Sequence, residues 1–461
     1  MEKENNKMEK IVSLCKRRGF VFQGSEIYGG MAGLYDFGPY GVELLNNLKK
    51  EWWKTHVQLR DDYVGLDSAM FKDPRVWEAS GHTSGFSDPL SECRKCNTRI
   101  RVDKELKNIG VSADEKMSEA ELQTIFEENK KKISCPKCGS HDFTPVRAFN
   151  LLVKSNLGDF TGEGKEPVYL PGEACQGIYL NFKNITDSTR VKVPFGIAQI
   201  GKAFRNEISP RNFLFRTREL EQADTQYFVR PNENKEEYER IKKNRFDWYV
   251  GLGIKPENLR FVQHENLVFY AKDAWDIEYD FPTGFDELEG IHDRSDYDLT
   301  QHMKHSGTDL HYTDPNTGEK YIPWILETSV GMGRMFMAFI TDAYNEDEID
   351  GEVRTVLKLS SKLAPIKVAI FPLLKNKPEL VKKAEEIYRA LKKEFMCEFD
   401  DNGNIGKRYR RQDEIGTPYC VTVDFDTLEK NEGVTVRDRD TGKQERIAEK
   451  DLVVHLREKL L

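Results

Sequence analysis

The stretch FGIAQIGKAFRNEISPRNFLFRTRELEQADTQYF, residues 195–228, alternates short apolar runs with turn residues. Ser209-Pro210-Arg211-Asn212 is a loop signal between two strand-like runs, so a long antiparallel hairpin is predicted. Arg205, Glu207, Arg216, Arg218, Glu219, Glu221 and Asp224 are strung along its two arms. The two-residue period of a strand puts Arg216, Arg218, Gln222 and Asp224 on one face of the second arm. Such a face offers cations for phosphates and a carboxylate for an amine. Composition alone favours a plainer reading, a solvated sheet face with cross-strand ion pairs.

Downstream, YIPWILE (321–327) is strand-like and meets the glycine-containing TSVGMG, then RMFMAFITDAY, in which Met335, Phe336, Phe339, Ile340 and Ala343 form one apolar helical face. The predicted order is strand, glycine turn, helix, with Arg334 in the first helical turn. A polar stretch, EDEIDGE, and a linking helix ending near Lys362 are expected to follow. A new domain then opens near Ala364 with the strand KVAIFPLL, a helix carrying Leu380, Ala384, Ile387 and Leu391, the strand YCVTVDF, a hairpin around Asp440-Thr441-Gly442 and a closing helix with Leu452, Val453, Leu456 and Leu460. That alternation reads as a small α/β domain. Upstream, Leu44, Leu45, Leu48 and Trp52 share one side of a helix, as a monomeric core or a dimer contact would require.

The chain has 461 residues, 38% hydrophobic and 32% charged, which suits several domains of a soluble protein. No apolar run is long enough for a bilayer, and the charged opening MEKENNKMEK lacks the core of a secretory signal, so no membrane partner and a cytoplasmic location are expected. With a net charge of −8, any polyanion site must be a local basic patch. Eight cysteines divide into Cys15, Cys175, Cys397, Cys420 and two CxxC pairs, a usage that fits a reducing compartment. The pairs, Cys93 with Cys96 and Cys135 with Cys138, have zinc-knuckle spacing, although the gap between them exceeds that of the usual ribbon. Between them lies a polar insertion, and SEAELQTIFEENKK within it predicts a helix opened by a Ser118/Glu121 capping box, with Leu122, Ile125 and Phe126 on one stripe. Structural zinc on four sulfurs is expected, the alternative being unmetallated thiols.

The 195–228 string resembles motif 2 of class II aminoacyl-tRNA synthetases, and WILETSVGMGRMF (324–336) resembles motif 3, with Thr328 where the family usually has proline. RRGFVFQGSEIYGGMAGLYDFGPYGVELLNNLKKEWW (17–53) and DDYVGLDSAMFKDPRVWEASGH resemble the opening of the glycyl-tRNA synthetases of the dimeric class II kind, including the motif 1 region of their dimer interface. GNIGKRYRRQDEIGTPYCVTVDFDTLE resembles the anticodon-binding domain of the glycine, histidine, proline and threonine enzymes. The likeness runs from about Ile11 to the end and includes all three motifs in order.

This resemblance implies an α+β fold. Residues 1–92 and 146–350 would form a class II catalytic domain, an antiparallel sheet flanked by helices. Residues 93–145 would be a zinc-ribbon-like insertion, 351–363 a linker, and 364–461 an α/β anticodon-binding domain. Implied catalytic groups are Arg205 on the α-phosphate of ATP and Arg334 beside the γ-phosphate, where a helix N-terminus adds its own attraction for anions. Around ATP the likeness places Asn206, Glu207, Phe215, Arg216, Thr217, Arg218, Glu219, Leu220, Glu287, Leu288, Gly331, Met332 and Gly333. Around glycine it places Arg101, Glu173, Leu220, Glu221, Gln222, Ala223, Asp224, Arg294, Glu327, Thr328, Ser329, Val330 and Gly331. Mg²⁺ would arrive with ATP, held in part by Glu287 or Glu327.

Glycine offers no side chain to hold, so selection must come from anchoring its ammonium and carboxylate and excluding a methyl group. Here the chain departs from the family's usual RPETAQG, reading PGEACQG with proline at Pro171, and has Asp224 where glutamate is usual. Lys407, Arg408, Arg410 and Arg411 form a basic cluster with Tyr409 available for base stacking, or else a solvated helix face. The implied reaction is activation of glycine by ATP to glycyl-adenylate and transfer to the 3′ end of tRNA(Gly) in translation, by a homodimer. The rivals are a class II synthetase for serine, alanine or proline, and a non-catalytic synthetase-like nucleic-acid binder, which would be expected to lose Arg205 and Arg334.

Overall fold

The computed structural model describes residues 2–113, 117–158, 166–208, 210, 212–264, 267, 271–349, 351–430 and 432–460. Ser209 and Arg211 of the expected hairpin loop lie outside them. The chain divides into two compact units, one built from Met1–Val64, Asn232–Asp293 and Leu326–Leu461, the other from Gly65–Pro231 and Arg294–Ile325.

In the second unit the hairpin forms as strands Phe195–Phe204 and Glu219–Val229, antiparallel, with Phe204 opposite Glu219 and Gln199 opposite Asp224. Its apolar side is closed by the helix Gln176–Ser188, whose Phe182 ring lies 4.6 Å from that of Phe228 and 6.2 Å from that of Phe195. One expectation is corrected here: Arg205, Arg216 and Arg218 lie beyond the strand ends, so the two latter do not share a strand face with Gln222 and Asp224. The cause is local, because Asn212 and Phe213 take positive φ (58° and 56°) and lead into a short 3₁₀ turn at Phe213–Phe215 that leaves the ladder. A single bond from the Arg205 N–H to the Arg218 carbonyl (2.8 Å) continues it.

The cysteine-bearing insertion belongs to the same unit. Strand Ser87–Glu92 lies between Arg99–Arg101 and Arg147–Asn150, and the helix Glu119–Asn129 starts at Ser118 with both halves of the capping box in place. Leu122 and Phe126 are buried with Val102, Leu106 and Phe143 in a small core of their own.

The first unit holds an antiparallel meander, Leu259–Gln263, Asp273–Phe281 and Gly284–Ser295. The strand Trp324–Gly331 passes without a turn into the helix Met332–Ala343, so TSVG is strand rather than the expected glycine turn, and Gly331 is the helix N-cap at φ −72°. That helix is buried on nearly every side from Met335 to Ala343, a wider apolar surface than its one-face pattern suggested. The helix Pro39–Trp53 buries Leu44, Leu45, Leu48 and Trp52 as read. Among the described residues the expected linking helix before Lys362 is absent; Tyr344–Ile349 and Glu352–Leu357 pair as an antiparallel hairpin, with Gly351 at φ 81°. Period-two burial of Arg354 and Val356 explains the difference, since it serves a strand as well as charge density serves a helix.

After Ala364 the five-stranded sheet runs Cys397–Phe399, Val368–Pro372, Tyr419–Val423, Val434–Asp438, Gln444–Ile447, parallel in its first two pairings and antiparallel in the rest. Leu380, Ala384, Ile387, Leu391, Leu452, Leu456 and Leu460 cover it from the predicted helices. Among the described residues no helix is long and apolar enough to cross a membrane.

Candidate active site

In the second unit the end of the hairpin carries the phosphate-side candidates. The Arg205 Nε–H donates to the Gly172 carbonyl (3.0 Å) and the guanidinium lies over the Phe86 ring at 5.4 Å. It pairs with no carboxylate among the described residues. Arg218 donates to the Glu207 carbonyl (2.9 Å), and the buried Glu207 carboxylate is 3.6 Å from Arg216. Asn206 donates its N–H to the Leu151 carbonyl (2.8 Å), which fixes the backbone leaving the strand. Glu219 is engaged with Lys202 at 3.0 Å on the surface, and Thr217 donates its hydroxyl to the Glu219 carbonyl (3.0 Å).

Alternation along Glu219–Val229 puts Leu220, Gln222 and Asp224 on one face and Glu221 and Ala223 on the other. Gln222 accepts the Ala174 N–H (3.0 Å), and Gln199, opposite Asp224, donates to the Ala174 carbonyl (2.9 Å). This places Glu173 next to the hairpin, at the start of the helix Gln176–Ser188, with Gln176 donating to its carboxylate (2.8 Å) and His82 Nε2 at 3.4 Å. Burial pushes the Glu173 carboxyl up, but His82 and Arg294 outweigh it and hold it well below the usual carboxylate range. Arg294 is itself buried, bidentate with Asp298 (2.7 and 2.9 Å) and 5.6 Å over the Tyr179 ring. Arg101 is shared by Asp88 (2.9 Å) and Asp103 (2.6 Å), so much of its charge is already compensated.

In the first unit Arg334 and Glu287 are brought together: the guanidinium is 3.0 Å from the carboxylate and donates to the Glu287 carbonyl at 3.1 Å. Leu288 is buried beside them. Along the strand into the helix, Glu327, Ser329 and Gly331 take one face while Thr328 and Val330 take the buried other. Glu327 is 2.9 Å from His292 Nδ1. Thr328 accepts from Arg245 (2.7 Å), which lies 3.4 Å from Glu289; Glu289 accepts from Tyr249 (2.7 Å), and burial raises its pKa. A threonine hydroxyl where the family has proline therefore has a use, as the acceptor for a buried arginine. The helix opening at Met332 and Gly333 leaves N-terminal amides beside Arg334, an anion-favouring end.

The four cysteines converge. Cys93 Sγ is 3.5 Å from Cys138 Sγ and Cys96 Sγ is 3.5 Å from Cys135 Sγ, and one sulfur from each falls within 4.8 Å of all the others. Zn–S bonds of about 2.3 Å put tetrahedral sulfurs about 3.8 Å apart, so the set fits zinc closely. Hydrogen bonds with Thr98 bring the Cys96 thiol down to about 6 while, against a backbone hydrogen bond from Ser140, burial and the neighbouring sulfurs push Cys138 up to about 12, the split of crowded thiols.

On the helix Ile405–Ile415 the basic cluster comes apart. Arg408 is 1% exposed and donates to the carbonyls of Pro372, Asp401 and Gly403, so it is part of the domain's frame and not of an RNA-facing surface. Arg410 pairs with Glu352 (2.9 Å) and Arg411 with Asp400 (2.5 Å), while Lys407 is exposed. Tyr409 packs its ring against Phe371 at 5.6 Å and bonds Thr422 at 2.7 Å, which occupies the group offered for base stacking.

Sequence reading missed His82, Arg245 and His292, each touching a candidate residue. His292 sits two residues before Arg294 in ELEGIHDR and was open to notice; Arg245, in a charge-dense helix, carried no signal.

Residues 159–344 match the family described as tRNA synthetase class II core domain (G, H, P, S and T), and residues 367–459 match the anticodon binding domain. Three curated relatives are named glycine–tRNA ligase. That of Caldanaerobacter subterraneus subsp. tengcongensis is 51% identical over 461 residues, 98% of each chain. That of Clostridium acetobutylicum is 50% identical over 99% of this chain and 100% of its own. The protein of Treponema denticola is 50% identical over 99% of this chain and 98% of its own.

Proposed function

The chain belongs to the glycine–tRNA ligases, class II enzymes with an anticodon-binding domain, and from that premise we propose how its residues divide the reaction. A carboxylate oxygen of glycine attacks the α-phosphorus of ATP, forming the mixed anhydride and releasing pyrophosphate. The terminal ribose hydroxyl of tRNA(Gly) then attacks the adenylate carbonyl and AMP leaves. Arg205 neutralises charge developing at the α-phosphate, and Arg334, with the amides of Met332 and Gly333, takes the γ-phosphate; no protein nucleophile is needed. Glu207, Phe215, Arg216 and Arg218 bracket adenine and ribose.

Glu173, Asp224, Glu327 and Ser329 are the groups that the family likeness assigns to the glycine ammonium. Glu287 or Glu327 would meet the charge of a Mg²⁺ ion arriving with ATP, and Cys93, Cys96, Cys135 and Cys138 would hold a structural zinc that ties the insertion together and leaves no open position for catalysis. The enzyme works in the cytoplasm as a homodimer, for which Ile27 and Tyr28, 89% and 87% exposed within the segment that resembles motif 1, supply apolar surface for a second copy.

What supports the reading most is Arg205: a guanidinium left without a carboxylate, beside a carbonyl and an aromatic face, is charged and ready for an anion. Aminoacylation of total tRNA with labelled glycine tests it, run beside ATP–pyrophosphate exchange with glycine, serine, alanine and proline. Charging and exchange with glycine alone are expected. Exchange with serine in the absence of exchange with glycine overturns the substrate assignment.

A further inference from the structure

Among the described residues, outside the cysteine set, one more group of metal-ligating side chains converges, and its register explains why. In the meander His264 lies just past the end of Leu259–Gln263, its N–H still donating to the Ala274 carbonyl (2.9 Å), and Ala274 is opposite His292. One cross-strand row is therefore His264, Ala274, His292. The next row on the same face is Val262, Asp276, Gly290. Two imidazoles thus stand either side of an alanine methyl, and a carboxylate leans in from the adjoining row over a glycine. A side chain at Gly290 would fill the hollow: a β-carbon there would come 3.1 and 3.2 Å from the His292 ring and 3.7 Å from the Asp276 carboxylate.

The ligand atoms of His264, Asp276 and His292 lie within 4.8 Å of one another, with His264 Nε2 2.7 Å from Asp276 Oδ2. A tetrahedral ion with bonds near 2.0 Å wants them about 3.3 Å apart, a spacing the side chains reach by small rotations. The second observation is the far side of His292, whose Nδ1 is 2.9 Å from the buried Glu327 carboxylate. A carboxylate on one ring nitrogen and open reach on the other is how proteins orient a metal-bound imidazole and raise its basicity. Asp276 is buried while both histidines are partly exposed, His264 more than His292, so an ion has a way in from the His264 side.

We propose that His264, Asp276 and His292 form a second metal site, distinct from the four cysteines, for a divalent ion of the zinc class. Two imidazoles and one carboxylate select such an ion over Mg²⁺, which prefers an all-oxygen shell, and three protein ligands leave a position for water or another small donor. Because Glu327 holds His292, an ion here fixes the Nδ1–H on the Glu327 side and couples the site to that carboxylate.

The test uses the full-length protein and Co²⁺, counted by equilibrium dialysis and read by absorption. Thiolate ligation gives a strong sulfur-to-cobalt charge-transfer band; imidazole and carboxylate ligation gives only weaker d–d bands. Expected is a portion of bound Co²⁺ that adds d–d absorption without charge transfer. It is lost in His264→Ala and in His292→Gln, the latter keeping an amide donor for Glu327, and its affinity falls roughly 10-fold or more in Glu327→Gln. Gly290→Ala, which keeps every ligand and fills the hollow, also weakens it, and the thermal unfolding midpoint of each variant verifies that it is folded. Folded His264→Ala and His292→Gln proteins that bind as much cobalt as wild type, or a wild type that binds cobalt through thiolates alone, reduce the cluster to a hydrogen-bonded triad and overturn the proposal.

Discussion

Two regions of this chain are rich in arginine, the end of the hairpin around Arg205, Arg216 and Arg218 and the helix Ile405–Ile415 with Arg408, Arg410 and Arg411, and the two use the same side chain in opposite ways. At the hairpin Arg205 gives one N–H to a carbonyl and meets no carboxylate among the described residues. On the helix Arg408 is buried against three carbonyls, and Arg410 and Arg411 are each matched with an acid. What separates a ligand-ready arginine from a framing one is how many of its N–H groups are already taken and how deeply it is buried, which local charge density in the sequence does not reveal. Arg205 has only neutral partners, Arg334 and Arg216 keep Glu287 and Glu207 beside them, and the framing cations are spent.

The sharpest way to break this contrast is Arg205→Ala. If its charge acts on the α-phosphate, glycine-dependent ATP–pyrophosphate exchange drops about 10²- to 10³-fold, the scale of losing one positioned donor to transition-state charge. The unfolding midpoint should hardly move, because little else depends on that guanidinium. Exchange kept within about threefold of wild type would put Arg205 among the framing arginines.

Arg408→Ala is the mirror experiment. Removing a buried guanidinium leaves the carbonyls of Pro372, Asp401 and Gly403 without their donor and a void behind them, at a cost of about 3 kcal/mol. Expected is a lower urea midpoint for the C-terminal domain, with glycine-dependent exchange at moderate temperature within about twofold of wild type. A variant as stable as wild type but defective in tRNA binding would return Arg408 to the RNA-facing surface.

How much of this was legible beforehand follows the same line. Apolar periodicity marked Leu380, Ala384, Ile387 and Leu391, and Leu44, Leu45, Leu48 and Trp52, because burial on one helical face is a property of the local sequence. The Ser118 capping box and the CxxC pairs were legible for the same reason, their chemistry lying within a few residues. The hairpin at Tyr344–Leu357 has no such local mark: its first strand lies largely in the polar run EDEIDGE, and its second, where the linking helix ending near Lys362 is expected, shows alternating burial only at Arg354 and Val356. His82, Arg245 and His292 reach their partners from 91, 83 and 35 residues away along the chain, and no window of sequence contains both halves. Likeness to the synthetases supplied the positions of Arg205 and Arg334, and carried nothing comparable to the basic helix.

A smaller effect concerns the carboxylate nearest the hairpin. Glu173 titrates well below the usual range, burial notwithstanding, because His82 and Arg294 favour its charged form. A depressed folded pKa means its contribution is fully present above the unfolded value, about 4.3, and is lost only as pH falls below that through the folded value. The KM for glycine should therefore show no acid limb from Glu173 between about pH 5.5 and 7.5, and Glu173→Gln should raise it about tenfold, near 1.4 kcal/mol, at every pH in that window. A KM that climbs toward pH 5.5 in wild type and not in the variant would mean that the carboxyl titrates in the ordinary range or above.

The least effect belongs to Lys407, the member of the basic cluster left exposed and outside the ion pairs that tie down Arg410 and Arg411. A lone surface lysine meeting a phosphate adds one counterion's worth of binding and no sequence selectivity. Lys407→Ala should then weaken tRNA binding only a few-fold at low salt, lower the slope of log affinity against log salt by about one, and leave exchange in the absence of tRNA untouched. If Arg410→Ala or Arg411→Ala lowers that slope as much, their acids release them when RNA arrives, and the division between ready and framing arginines holds only for the free protein. If neither does while Lys407→Ala does, exposure without a carboxylate partner is what qualifies a cation for the RNA, as it qualifies Arg205 for ATP.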